Sequence, residues 1–238
     1  MKLIQRAALA ALLAASLVTS AAQAQEAAIR KNLSERLPQL PKIEEISKTP
    51  MAGIFEVRVG SDLFYTDADA NFLFQGHMID TKLQRNLTEE RMDKLLAIDF
   101  AALPIQDAFT IVRGNGKRKV AVFEDPNCGY CKRFERDLQK IDNVTVYMFL
   151  YPILGPDSAV KSRNHWCSKD KAKAWQDWMV RDQAAPSASC DTAALVRNLE
   201  FGKKHKITGT PTMVFLDGTR VPGAIGAQQV EKLLAQGK

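Results

Sequence analysis

The stretch Lys119-Val-Ala-Val-Phe123-Glu-Asp-Pro-Asn-Cys128-Gly-Tyr-Cys131-Lys-Arg-Phe134 decides how the rest of the chain is read. Lys119 to Phe123 is apolar on consecutive positions, as a strand covered on both faces would be. Two cysteines two residues apart follow at once. Phe134, Leu138 and Ile141 then mark one face of a helix, and Val144 to Leu150 reads as a second buried strand. A strand, a helix and a strand make a βαβ unit with parallel strands and a right-handed crossover.

In that setting Cys128 stands at a helix start, where unpaired N–H groups and the positive end of the helix dipole favour a thiolate. A cysteine so placed falls from an ordinary pKa of about 8.5 toward neutral or below. Its thiolate attacks disulfides. Cys131, one turn further in, is placed to be more buried and to attack the mixed disulfide formed at Cys128. A zinc site is the first alternative, but zinc wants a second close pair of ligands. Cys167 and Cys190 are 23 apart, and His77, His165 and His205 show no ligand spacing. A purely structural Cys128–Cys131 disulfide is the other alternative, and its very small loop would remove little chain entropy. Redox chemistry fits the strand–CxxC–helix context best. Cys167 and Cys190 pair most naturally with each other, as a structural bridge rather than a second redox pair.

Outward from this centre the chain divides. Residues 1–24 read as a secretory leader: Lys2 and Arg6, an apolar run from Ala7 to Val18, and the small-x-small signal Ala22-Gln23-Ala24. The run is too short for a membrane-spanning helix, which needs about 20 residues. Export places the four cysteines where disulfides persist. Ile29, Leu33 and Leu37 recur at helical spacing before Pro38 and Pro41. Gly53 to Val59, Asp62 to Thr66 and Asn71 to Phe74 form a meander too short to bury both faces, so it needs a helix or a second chain against it. Thr88, with Glu89 and Glu90 behind it, opens a helix that runs toward Pro104 and reads as a connector. The segment from Gly155 to about Leu199 is helical and more polar. Thr210-Pro211 opens a further strand, and Val230, Leu233 and Leu234 close with a short helix. The formal net charge is +6, with 33 basic and 27 acidic residues interspersed. No basic run tracks a phosphate backbone, which argues against nucleic-acid binding.

Phe123 to Lys132 together with Thr210-Pro211 resembles a thioredoxin-fold oxidoreductase. Gly53-Ile-Phe-Glu-Val, Tyr65-Thr-Asp, Phe72-Leu-Phe, the Gly76 turn, His165-Trp166-Cys167 and Asp217-Gly-Thr-Arg-Val-Pro-Gly223 are similar to the DsbC family of periplasmic disulfide isomerases. The resemblance implies an α+β, cystatin-like N-terminal dimerisation domain over 25–86 and a linker helix over 87–104. An α/β thioredoxin fold over 105–238 would follow, with a helical insertion at about 155–199. It implies catalysis by Cys128 and Cys131, substrate contacts at Gly129, Tyr130, Thr210 and Pro211 with the Thr210–Pro211 bond cis, a structural Cys167–Cys190 disulfide, and no cofactor or metal. The implied partners are misfolded exported proteins with non-native disulfides, a second copy of the chain, and a membrane reductase of the DsbD type. The location would be the periplasm, and chaperone activity would accompany isomerisation. DsbG-like chaperones, which usually carry proline at the place of Gly129 and lack the Cys167–Cys190 pair, and DsbA-like oxidases are the rival readings. Thioredoxin's buried acid, six residues before the first cysteine, is Val122 here, leaving Glu124 and Asp125 as the nearby acids.

Overall fold

The computed structural model describes residues 23–237, so the leader reading lies outside the described residues but for Gln23 and Ala24, which begin the first helix. The chain divides into two compact units, one ending at Leu95 and the other beginning at Leu96.

In the first unit α1 (23–36) lies over a sheet of β1 (Glu45–Lys48), β2 (Ile54–Val59), β3 (Asp62–Asp67) and β4 (Leu73–Phe74), antiparallel throughout. The four-residue recurrence on α1 buries Ile29 and Leu33 against Ile43, Ile46, Val57 and Val59. A helix covering one face meets the need of so short a meander. β1 is not apparent in the sequence, because Lys42-Ile-Glu-Glu-Ile-Ser-Lys48 offers two apolar residues three apart instead of an alternation. β5 (Ile79–Asp80) pairs with β6 (Arg85–Asn86), and α2 (Leu87–Leu96) follows. Arg91 on α2 reaches Glu45 at 2.7 Å and Glu56 at 2.9 Å, tying the helix to β1 and β2.

The expected run of this helix toward Pro104 stops at Leu96. Ile98 is buried, and its N–H donates to the Gly218 carbonyl, so the chain leaves helical geometry to dock there. Asp99 caps a 3-10 turn over Phe100–Ala102 in place of a further helical turn.

The second unit is a five-stranded sheet in the order β11-β10-β8-β9-β7. Its strands are β7 (Phe109–Arg113), β8 (Arg118–Glu124), β9 (Val144–Leu150), β10 (Thr212–Phe215) and β11 (Arg220–Pro222). β8 and β9 are parallel, joined through α3 (Gly129–Leu138), and the other pairings are antiparallel. Alternation along β8 sorts its side chains. Val120 and Val122 face one core with Phe134, Leu138 and Trp175, while Ala121 and Phe123 face the other with Phe149 and Val214. Continuing the period of two puts Glu124 on the α3 side. The polar segment after Gly155 forms α4 (Pro156–Trp166), α5 (Lys171–Arg181) and α6 (Ala193–Lys204), the last running five residues beyond the expected end, and α7 (Ala227–Gln236) closes the chain. Among the described residues no helix is long and apolar enough to cross a membrane.

Candidate redox site

Cys128 caps α3. Its backbone is extended (φ −78°, ψ 114°), and its sulfur accepts the Cys131 N–H at 3.2 Å. The loop before it is pinned by Asp125, a fully buried carboxylate at the end of β8. Asp125 accepts from the Asn127 N–H at 2.8 Å, the Ser158 hydroxyl at 2.7 Å and the Leu154 N–H at 2.9 Å. Trp178 Nε1 donates to the Pro126 carbonyl at 2.6 Å, and Lys132 lies 3.9 Å above the Trp178 ring. Asn127 is bonded to Asp157, Ser158 and Lys161. Asp125 thus holds the loop through both of its carboxylate oxygens.

The Thr210–Pro211 peptide is cis. When protonated, the Cys128 thiol donates to the Thr210 carbonyl at 3.3 Å, so the loop and the cysteine pair are brought together. Pro211 is buried; Gly129 and Tyr130 are exposed, Tyr130 at 69%. A Cβ on Gly129 would meet nothing within 4 Å, so packing within this chain does not require glycine there.

The two sulfurs differ in environment. The Cys128 thiol is lowered to about 6, chiefly by the hydrogen bond from Cys131, against the cost of burial. The Thr210 side chain and the N–H groups of Cys131 and Tyr130 add to the lowering. Cys131 is fully buried and pushed far up by burial and then by its bond to Cys128. Cys128 is only 6% exposed, because the loop around Thr210 closes over it.

Cys167, at the C-terminal end of α4, is bonded to Cys190, just before α6, with Cα atoms 5.5 Å apart. No cluster of His, Cys, Asp and Glu able to hold a metal occurs among the described residues. His165 is buried and its pKa falls to about 4, by burial and then by Lys161, so it is neutral at pH 7.

Sequence reasoning missed four residues of this site: Ser158, Trp175, Trp178 and Glu135. Only Glu135 leaves a trace in the sequence. It lies four residues after Cys131, on the face that α3 buries through Cys131, Phe134 and Leu138. The other three come from helices whose place in the fold no spacing reveals.

Comparison with known proteins agrees with this geometry. Residues 105–238 match the thioredoxin-like domain family, and residues 20–89 match the N-terminal domain of disulfide bond isomerase proteins. The chain is 44% identical over 207 residues to the probable thiol:disulfide interchange protein DsbC of Bordetella pertussis, covering 87% of this chain and 73% of that protein. It is 31% identical over 219 residues to the thiol:disulfide interchange protein DsbC of Escherichia coli K12, covering 90% and 89%. The crystal structure of a disulfide interchange protein from Neisseria gonorrhoeae superposes with a TM-score of 0.54 at 40% identity, over 57% of this chain and 98% of that one.

Proposed function

The chain belongs to the DsbC family of thiol:disulfide interchange proteins, and on that premise we propose that it is a periplasmic disulfide isomerase with Cys128 as nucleophile. One observation carries the reading: a sulfur lowered to about 6 stands at the start of α3, beside a fully buried partner that is pushed up. At neutral pH Cys128 is then mostly thiolate while Cys131 keeps its proton.

The Cys128 thiolate attacks a non-native disulfide, forming a mixed disulfide and releasing one substrate thiolate. That thiolate attacks a second disulfide of the substrate, and a substrate thiolate finally displaces Cys128. The number of disulfides is unchanged and no electrons are spent. Where rearrangement stalls, Cys131 attacks Cys128 instead. The substrate leaves reduced by two electrons and the protein is oxidised by two. A membrane reductase of the DsbD type must then open Cys128–Cys131 again.

Tyr130 and the loop around Thr210 and Pro211 flank the sulfur and are the substrate contacts in this reading, with Gly129 leaving the approach unobstructed. Cys167–Cys190 is structural and suits an oxidising compartment. The first unit carries Met51, Phe72, Phe74, Ile79 and Leu83 as exposed apolar side chains. Such a concentration supports self-association through residues 25–86 and retention of non-native chains. In this reading 87–104 connects that unit to the catalytic domain at 105–238.

Reactivation of a ribonuclease with scrambled disulfides, by the parent and by Cys128→Ser, tests the assignment. The parent should restore activity and the variant should not. Reactivation by Cys128→Ser would defeat the isomerase reading. Prevention of aggregation alone, by parent and variant alike, would favour the DsbG-like chaperone. Rapid oxidation of reduced substrates without rearrangement would favour the DsbA-like oxidase.

A further inference from the structure

The loop that closes over Cys128 leaves α6 at His205 and joins no strand until Thr212, and its middle, Thr208 and Gly209, is exposed. Backbone carbonyls in such a stretch must find donors elsewhere. Two side chains with no part in the chemistry above supply them. Arg220 of β11 donates from Nη1 to the His205 carbonyl at 2.7 Å and from Nη2 to the Lys206 carbonyl at 2.6 Å. Tyr151, the residue after β9, donates its hydroxyl to the Ile207 carbonyl at 2.8 Å. Consecutive carbonyls at the exit of α6 are thus gripped from the sheet. Thr212 Oγ1 holds the Gly209 carbonyl at 2.7 Å, and the Thr210 carbonyl then lies 3.3 Å from the Cys128 sulfur.

The same grip reaches the cysteine loop. The Tyr151 N–H donates to the Glu124 carbonyl at 2.7 Å, and its ring packs edge-on against Phe123. Glu124 precedes Asp125, the carboxylate that pins the loop before Cys128. Tyr151 therefore touches both sides of the site, the end of β8 and the exit of α6. Arg220 is a costly choice for a cap that only stabilises. It is 6% exposed, its Nε meets no acceptor, and burial draws its pKa down. Among the described residues Tyr151, not a carboxylate, is the ionisable group that faces it. A lysine at the surface would suit a helix C-terminus without taking an unpaired guanidinium out of water. What Arg220 adds is geometry, because its planar fork fixes two neighbouring carbonyls at once.

We infer that Arg220 and Tyr151 are positioning residues for thiol–disulfide exchange. They hold His205 to Thr210 so that a substrate strand laid along Thr210 brings its disulfide into line with the Cys128 sulfur. The inference rests on the reading of Thr210 and Pro211 as substrate contacts. In the exchange, the Cys128 thiolate forms a bond to one substrate sulfur as the bond between the two substrate sulfurs breaks, and the other sulfur leaves as a thiolate. The number of electrons on sulfur is unchanged. A loop displaced by about 1 Å would misalign that attack without altering the nucleophile itself. A small disulfide that has no backbone to lay on the loop would not feel the displacement.

Exchange of the reduced full-length protein with two disulfides at neutral pH tests this. One is a short extended peptide whose cysteine is joined to β-mercaptoethanol, and the other is hydroxyethyl disulfide, which has no backbone. Acid quenching and mass spectrometry give the rate at Cys128 for the parent, Arg220→Met, Arg220→Lys and Tyr151→Phe. The parent should react faster with the peptide. Arg220→Met and Tyr151→Phe should slow the peptide about tenfold, well inside the loss that a misplacement of about 1 Å can cause. Both should leave the small disulfide at the parent's rate. Arg220→Lys should recover part of the peptide rate, because an ammonium reaches the carbonyls without the fixed fork. Should Arg220→Met not fold, Tyr151→Phe, which keeps the ring and loses only the hydroxyl, carries the same comparison. Equal slowing of both disulfides, or the parent's rates with both in a variant that folds, would overturn the positioning role. A parent with no preference for the peptide would remove Thr210 and Pro211 as substrate contacts, and the inference with them.

Discussion

Asp125 and Cys128 show how much one residue can carry here. Asp125 is fully buried and accepts three hydrogen bonds, and each abandoned donor costs about 1–3 kcal/mol. Asp125→Ala should therefore lower stability by about 3 kcal/mol or more, read as a shift of the urea midpoint. A change below about 0.5 kcal/mol would contradict the account of the loop. Cys128 makes stability depend on pH. Its folded pKa of about 6 lies below the 9.0 of an unstructured thiol, so ionisation stabilises the fold fully above pH 9, and this contribution is lost as pH falls through 6. Reduced parent protein should gain on Cys128→Ser as pH rises from 6 to 9, and a flat difference would contradict the lowered pKa. The cysteine pair is legible in the sequence because spacing and neighbours alone define it. Glu124 and Glu135 are legible only as an acid near the motif and an acid in an apolar stripe. Their burial depends on which face of β8 turns toward α3, and that follows from the whole sheet.

Among the elements, β8, α3 and β9 were the easiest to read, since buried parallel strands show continuous apolar runs and the helix between them shows a clear stripe. β1 is hidden because its four residues, Glu45-Ile-Ser-Lys48, hold a single apolar side chain. The end of α2 was hidden because a tertiary hydrogen bond from Ile98 to Gly218, not a breaker residue, stops it. The fit of α6 against the segment after β9 depends on Gly202, where a Cβ would come within 2.3 to 2.5 Å of the Tyr151 ring. Tyr151 cannot easily withdraw, because its hydroxyl donates to the Ile207 carbonyl at 2.8 Å. Gly202→Ala would gain about 1 kcal/mol in helix propensity. Overpacking costs about 1–3 kcal/mol. The variant should therefore melt below the parent, and a higher melting temperature would contradict the packing. Replacing Cys167 and Cys190 together by alanine opens a loop of 23 residues. The expected loss is about 3 kcal/mol on the chain-entropy view. The alkylation profile of Cys128 should stay unchanged, and a displaced profile would give the bridge a part in the redox site.

At the scale of the molecule, the thioredoxin-like unit carries the cysteine pair, and the first unit exposes Met51, Phe72, Phe74, Ile79 and Leu83. The sequence announces two parts through a change of texture near residue 105, from a short meander to buried strands. It does not announce which apolar residues of the short strands and turns stay exposed. Sedimentation velocity at low micromolar concentration should give twice the mass of one mature chain. Association should weaken when Phe72 and Leu83 are replaced by aspartate. A monomer of undiminished isomerase activity would show that a paired site is not needed.

The central claim is the asymmetry of the two sulfurs, and alkylation of the reduced protein with iodoacetamide across pH 4 to 9, with each cysteine quantified by mass spectrometry, tests it most directly. Cys128 should be labelled with a half-maximal rate near pH 6 while Cys131 stays unlabelled throughout. Labelling of Cys128 that follows an unstructured cysteine peptide, or labelling of Cys131 at a comparable rate, would contradict it.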